Sequence, residues 1–166
     1  MDNPVVVRAA EVAQGIGMAT LRFNFRGVGA SGGVHAGGEG EQEDVTAALA
    51  ALAGRLPAES PIGLAGYSFG AWVAARVAAA MPALPALALL APPLRMYDLD
   101  FLTRAPSHTL LVSGSQDQYC PVEALERLGV RLSTKAVIID GAEHFFFGKL
   151  FPLSETVERW LRTWTT

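Results

Sequence analysis

Residues 62–74 read Ile62-Gly63-Leu64-Ala65-Gly66-Tyr67-Ser68-Phe69-Gly70-Ala71-Trp72-Val73-Ala74, an apolar run of strand length joined to an Ala-rich run of helical length at a single serine. The spacing predicts a strand over Ile62–Tyr67 and a helix over Phe69–Ala80. The joint, Gly66-Tyr67-Ser68-Phe69-Gly70, fits G-x-S-x-G in the strand–turn–helix context that gives this pattern its meaning. So sharp a turn brings backbone against backbone. Gly66 and Gly70 supply the small flanks, and Ser68 takes a strained conformation that points its hydroxyl outward. The helix starting at Phe69 presents free N–H groups and a positive dipole end beside that hydroxyl, which makes the Phe69 amide the candidate donor to a tetrahedral oxyanion. A chance match in a chain with 17 glycines is the competing reading.

A hydroxyl is a poor nucleophile until a base takes its proton, so a histidine and a carboxylate are needed downstream. Leu110-Leu111-Val112-Ser113-Gly114-Ser115-Gln116-Asp117 reads as a strand running into a turn that ends in Asp117. Val137-Ile138-Ile139-Asp140-Gly141-Ala142-Glu143-His144 repeats the arrangement with His144. All three candidates sit past the C-terminal ends of strands, where open α/β sheets place their ligands. Taken singly, Asp117 reads as a turn-former and His144 as a helix-start residue; their order behind Ser68 argues for a catalytic set.

The surrounding sequence predicts the scaffold. Helical spacing covers Val5–Met18, Val45–Leu56 behind an acidic start at Glu39, Glu41, Glu43 and Asp44, Pro121–Leu128, and Leu153–Thr163. Further strands are expected at Thr20–Phe25, Leu84–Leu90, His108–Ser113 and Ala136–Ile139, and a long mobile loop at Gly27–Gly40, which holds seven glycines. The alternation predicts an α/β three-layer sandwich around a mostly parallel sheet, one domain over residues 1–166. A chain that is 51% hydrophobic and 17% charged suits helices packed on a buried sheet.

Composition also excludes whole classes. With a net charge of −3 and basic residues scattered singly, the chain lacks an electrostatic footprint for nucleic acid or an anionic membrane. The single cysteine, Cys120, has no internal disulfide partner, and the three histidines stand apart from other metal-ligand types. No cofactor and no metal are expected, and a reducing, cytoplasmic setting fits. Cys120, after the Asp117 turn and with no adjacent histidine, reads as a plain turn residue rather than a reactive thiol, and His35 and His108 read as structural or solvated residues. Asp44, Arg26 and Tyr67 are placed near the cleft without a role. Phe145-Phe146-Phe147 are assigned to the core, with a wall of the acyl pocket as the other reading.

With GYSFG, the Arg22–Gly32 stretch RFNFRGVGASG, GSQD around Asp117 and GAEHFF around His144, the chain resembles a small α/β-hydrolase-superfamily enzyme. It is near the lid-less group related to dienelactone hydrolases and dipeptidyl-peptidase-like hydrolases. The resemblance spans almost the whole chain. It implies the α/β-hydrolase fold, a Ser68–His144–Asp117 triad and a small-molecule acyl substrate. A cysteine or aspartate nucleophile, as in other branches, is not implied, because the elbow carries Ser68. Between Leu90 and His108 there are too few residues for a helical cap, so an open site and short acyl groups are expected.

In the resembled fold an earlier strand lies between the counterparts of Thr20–Phe25 and Ile62–Tyr67, and the loop after it gives a second oxyanion amide. The expectation is therefore an N-terminally truncated version of the fold, with Met1 an internal methionine of a longer product. Either the flanking strands close up or their ladder groups go unpaired, at about 1–3 kcal/mol for each buried orphan. Loss of one oxyanion donor lowers turnover about a hundred- to a thousand-fold. Two rivals follow. One is a non-catalytic or weakly active hydrolase-fold binding module. The other is dinucleotide binding through Gly27-Val28-Gly29-Ala30-Ser31-Gly32, which fits G-x-G-x-x-G but continues as loop and lacks the acidic residue about twenty positions on.

Overall fold

Four strands, β1 (Leu64–Tyr67), β2 (Ala86–Leu90), β3 (His108–Gly114) and β4 (Ala136–Ile139), lie side by side in chain order, each parallel to its neighbour. The computed structural model that shows this describes residues 1–164; the last two residues of the domain expected over 1–166 lie outside it. Five helices accompany the strands: α1 (Pro4–Gly15), α2 (Glu39–Ala53), α3 (Phe69–Ala80), α4 (Val122–Arg131) and α5 (Leu150–Trp164). None of them is long and apolar enough to cross a membrane.

The three layers follow from the side-chain alternation of the central strands. In β2, Ala86-Leu87-Ala88-Leu89-Leu90, every residue is buried. Leu87 and Leu89 join one core with α2, α3 and α4, through Val45, Trp72, Val77 and Leu125. Ala88 and Leu90 join the other with α1 and α5, through Val5, Ala13, Leu153, Val157 and Leu161. A strand with apolar residues on both faces belongs in the middle of a parallel sheet with helices on both sides. α1 starts where it does because Asn3 accepts from the Val5 and Val6 amides and Pro4 occupies the first turn. It stops at Gly15, short of the expected Met18.

Thr20–Phe25 was expected to be a strand and is not one. Among the described residues it has no ladder partner: β1 is an edge strand that pairs there with β2 alone, and the segment does not close onto it. A strand exists through its neighbour, and β-branched or aromatic composition cannot replace one. Between them runs a groove of 610 Å³, lined by Met18–Phe25 on one side and Ile62–Phe69 on the other, with α1, α2 and α5 contributing apolar walls.

The loop expected over Gly27–Gly40 runs over residues 26–38, its last two expected residues belonging to α2, and it is pinned rather than left to itself. Arg26 donates from its backbone and its guanidinium to Asp44, with distances of 2.8–3.2 Å, and reaches Glu43 at 3.0 Å. Asp44 is held below the usual carboxylate range by these Arg26 hydrogen bonds, against the opposing effect of burial. Glu41 shows why the acidic start of α2 lies deeper than a dipole argument suggests. Fully buried, it accepts from the Ala36 and Gly38 amides at 2.9 and 2.7 Å and meets the His35 ring at 2.8 Å. It closes the loop onto the helix, which begins at Glu39, the first residue of the expected acidic start, and ends at Ala53, short of the expected Leu56.

Glu41 makes the molecule acid-sensitive in a predictable direction. Burial pushes its carboxyl up, but the loop amides and His35 outweigh it and hold the group below its ordinary value. A depressed folded value means that the stabilisation is complete above the unfolded value of about 4.3 and is lost as pH falls through the folded one. Glu41→Gln is expected to start with a lower melting temperature at pH 7 and to lose less of it than the wild type between about pH 5 and 3. Thermal melts across that range measure the difference; parallel curves for the two proteins would remove Glu41 as a source of the acid sensitivity.

Candidate active site

Ser68 sits on the turn between β1 and α3 with φ 53° and ψ −124°, a left-handed conformation that a serine adopts only under constraint. The constraint is the closeness of the two elements. A Cβ on Gly66 would lie 2.5 Å from the Gly70 carbonyl carbon and 2.7 Å from Ala71 Cα, and closer still to the Gly70 oxygen, so no side chain fits there. Gly70 is different. A Cβ at that position would meet only the Phe25 ring, at 3.8 Å, so the expectation that both flanking glycines are sterically required holds for Gly66 alone. The Ser68 hydroxyl makes no capping bond to α3. It faces His144 instead.

The structure brings the three candidates together. Ser68 Oγ lies 2.8 Å from His144 Nε2, and His144 Nδ1 lies 3.0 and 2.9 Å from the two carboxylate oxygens of Asp117. His144 and Asp117 are 4% and 6% exposed, so water does not compete for these contacts. Asp117 also accepts from the Tyr119 amide at 2.8 Å, the Cys120 amide at 3.0 Å and the Ser113 hydroxyl at 2.9 Å. Burial pushes this carboxyl up, yet the His144 hydrogen bond and those of Tyr119 and Ser113 leave it below its usual range. It is therefore an anion facing the Nδ1 side of the ring, which favours the tautomer with the proton on Nδ1 and leaves Nε2 as the acceptor toward Ser68.

Two further contacts fix the histidine. Tyr67, the second residue of the elbow motif, donates its hydroxyl to the His144 carbonyl at 3.1 Å. Burial, with the nearby charges of Asp117 and Glu143, raises the Tyr67 phenol well above its ordinary value, so it remains a donor. Gly114 lets the two loops meet: a Cβ there would lie 2.5 Å from the Ala142 carbonyl carbon, two residues before His144. Phe69 opens α3, so its N–H has no acceptor within the helix.

Residues 8–128 match the model of the X-Pro dipeptidyl-peptidase (S15) family. The chain is also 33% identical to uncharacterized protein RP471 of Rickettsia prowazekii, over 98% of this chain and 73% of that protein. The chain belongs to the S15 family. Among solved structures, this S15-family chain superimposes on an alpha-beta serine hydrolase homologue from Coxiella burnetii with a TM-score of 0.87 and 38% identity, covering 96% of this chain and 76% of that one. It superimposes on XC6422 from Xanthomonas campestris, described as a serine hydrolase without lid, with a TM-score of 0.89 and 33% identity, over 99% and 75% of the two chains. The fold is thus that of the lid-less α/β-hydrolases, and the relatives support a serine hydrolase. No helix lies between Leu90 and His108.

Other sequence expectations resolve less simply. Arg26 and Asp44 pair with each other. His35 is exposed and paired with Glu41, and His108 Nε2 donates to the Trp160 carbonyl at 2.8 Å. Cys120 is buried, its thiol pushed up to about 12 by burial, which leaves it inert as a thiolate. Gly27–Gly32 neither follows a strand nor opens a helix, so the dinucleotide reading loses its structural context. Phe145-Phe146-Phe147 do not all enter the core: Phe146 does, while Phe145 is 46% and Phe147 75% exposed. Ser113, Tyr119 and Gly114 were missed. Only Ser113-Gly114, as the residues ahead of the Asp117 turn, carried a signal that could have found them.

Proposed function

We propose that the S15-family chain is a serine hydrolase that cleaves small acyl esters or related carboxylic acid derivatives through an acyl-enzyme. The continuous Ser68–His144–Asp117 hydrogen-bond chain carries this reading. Ser68 Oγ attacks the acyl carbon while His144 Nε2 takes its proton; the oxyanion forms beside the Phe69 N–H, and Asp117 stabilises the imidazolium. Collapse breaks the bond to the leaving group, which leaves with the proton from Nε2. Water then attacks the acyl-enzyme by the same route, restoring Ser68.

The absence of a helix over the site supports short acyl groups. The 610 Å³ groove is not a good alternative home for a long chain, because it runs along the free edge of β1, where hydrocarbon would leave backbone amides unpaired. A reducing intracellular setting remains in keeping with the lone buried Cys120.

A fluorophosphonate probe tests the nucleophile directly. Mass spectrometry is expected to find one adduct on Ser68, none on Ser68→Ala, and faster turnover of acetyl and butyryl esters than of decanoyl esters. An unlabelled Ser68 in folded protein would favour a non-catalytic hydrolase-fold module, and a preference for decanoyl esters would overturn the short-acyl part.

A further inference from the structure

The loop after His144 spends backbone strain on an unusual display. Phe146 takes φ 55°, a left-handed conformation, and is fully buried. That turn throws its two neighbours outward, and both stay in place: the Glu143 carboxylate accepts from the Phe145 amide at 3.0 Å and the Phe147 amide at 2.9 Å. The Glu143 carbonyl accepts from the Phe146 amide at 3.1 Å, and the Phe146 carbonyl accepts from Lys149 at 2.9 Å. A braced backbone therefore holds one phenyl ring about half exposed and the other mostly in water, where a chain selected only for stability would bury them or replace them.

Their position says what they are for. The Phe145 ring packs edge-on against the His144 imidazole, centroids 5.3 Å apart, and Phe147 continues the surface 5.8 Å further on. Tyr119 meets the imidazole from another side at 4.7 Å. His144 Nε2 must hand its proton to the departing atom, so that atom comes within hydrogen-bond reach of this same ring. Phe145 is in contact with the same ring that delivers this proton.

We propose that Phe145 and Phe147 form a leaving-group subsite for an aryl-bearing alcohol or amine, held by edge-to-face and offset ring contacts. The inference rests on the hydrolase reading above and names the substrate class of that site. It makes Phe145 and Phe147 specificity-determining residues, with no part in proton transfer.

Benzyl acetate and ethyl acetate share an acyl group and have alcohols of similar acidity, so they differ mainly in the ring. For the wild type, kcat/KM is expected to favour benzyl acetate by about 10- to 100-fold. In F145A/F147A the ratio falls to within about threefold, and F147A alone, whose ring is mostly in water, falls between. Benzyl alcohol binding, read by saturation-transfer NMR, is expected in the wild type and lost in the double variant. A wild-type ratio near one, a ratio kept by the folded double variant, or no saturation transfer in the wild type would each overturn the subsite. Saturation transfer lost on substitution, in a protein that hydrolyses neither ester and takes no fluorophosphonate, would support the aryl surface while overturning the hydrolase.

Discussion

On the proposed mechanism, Ser68→Ala is expected to lower kcat on a short acetyl ester by about a million-fold, to the residue that substrate binding and the Phe69 N–H supply unaided. With the three groups acting as the proposed relay, His144→Ala is expected to cost about as much, and the double variant little more. Asp117→Asn is expected to cost about ten-thousand-fold: an amide that donates toward Nδ1 favours the wrong tautomer, with Nε2 protonated and unable to accept from Ser68. Ser68 Oγ makes no cap to α3, so its loss leaves the melting temperature within a few degrees of the wild type. Steady-state kinetics with thermal melts separate the two effects. Retention of activity within tenfold in Ser68→Ala would sink the nucleophile assignment.

Gly66→Ala is the largest structural effect expected. The new methyl meets the Gly70 carbonyl and Ala71 Cα, backbone of the first turn of α3, and none of these can rotate away. The turn must open, at a cost of about 3 kcal/mol in stability. Ser68 Oγ then shifts relative to His144 Nε2 by something like an ångström, worth about a hundred-fold in kcat. Gly70→Ala provides the contrast, since its methyl meets only the Phe25 ring at ordinary distance. It is expected to fold and turn over like the parent, and equal damage from the two substitutions would refute the close-approach account.

The candidate site's geometry was legible in the sequence because its parts are local. The turn at Ser68, the strand end before Asp117 and the strand end before His144 each declare themselves within a few residues, and their order does the rest. The elements misread were those whose state depends on something distant. Thr20–Phe25 has strand composition, but a strand needs a partner edge, and composition does not reveal whether one is within reach. Glu41 stands among four acidic residues at a helix start, and only the turn of residues 36–38 singles it out as the one that faces inward. In Phe145-Phe146-Phe147 three identical side chains have different fates because one φ angle in the middle decides which of them points inward. Tyr67 was legible as part of the motif but not as a brace, since its partner lies 77 residues away.

The free edge of β1 sets two clocks within one strand. The Ser68 amide donates to the Leu90 carbonyl at 2.9 Å, so by the alternation of a parallel ladder the Leu64 and Gly66 amides point the same way, into the sheet. Those of Ala65 and Tyr67 point the other way, toward the groove. In deuterated solvent, Gly66 and Ser68 should keep their protons until the sheet itself opens, while Ala65 and Tyr67 exchange far sooner. The residues that carry the nucleophile would then alternate, one after the next, between the most and the least protected amides of the strand.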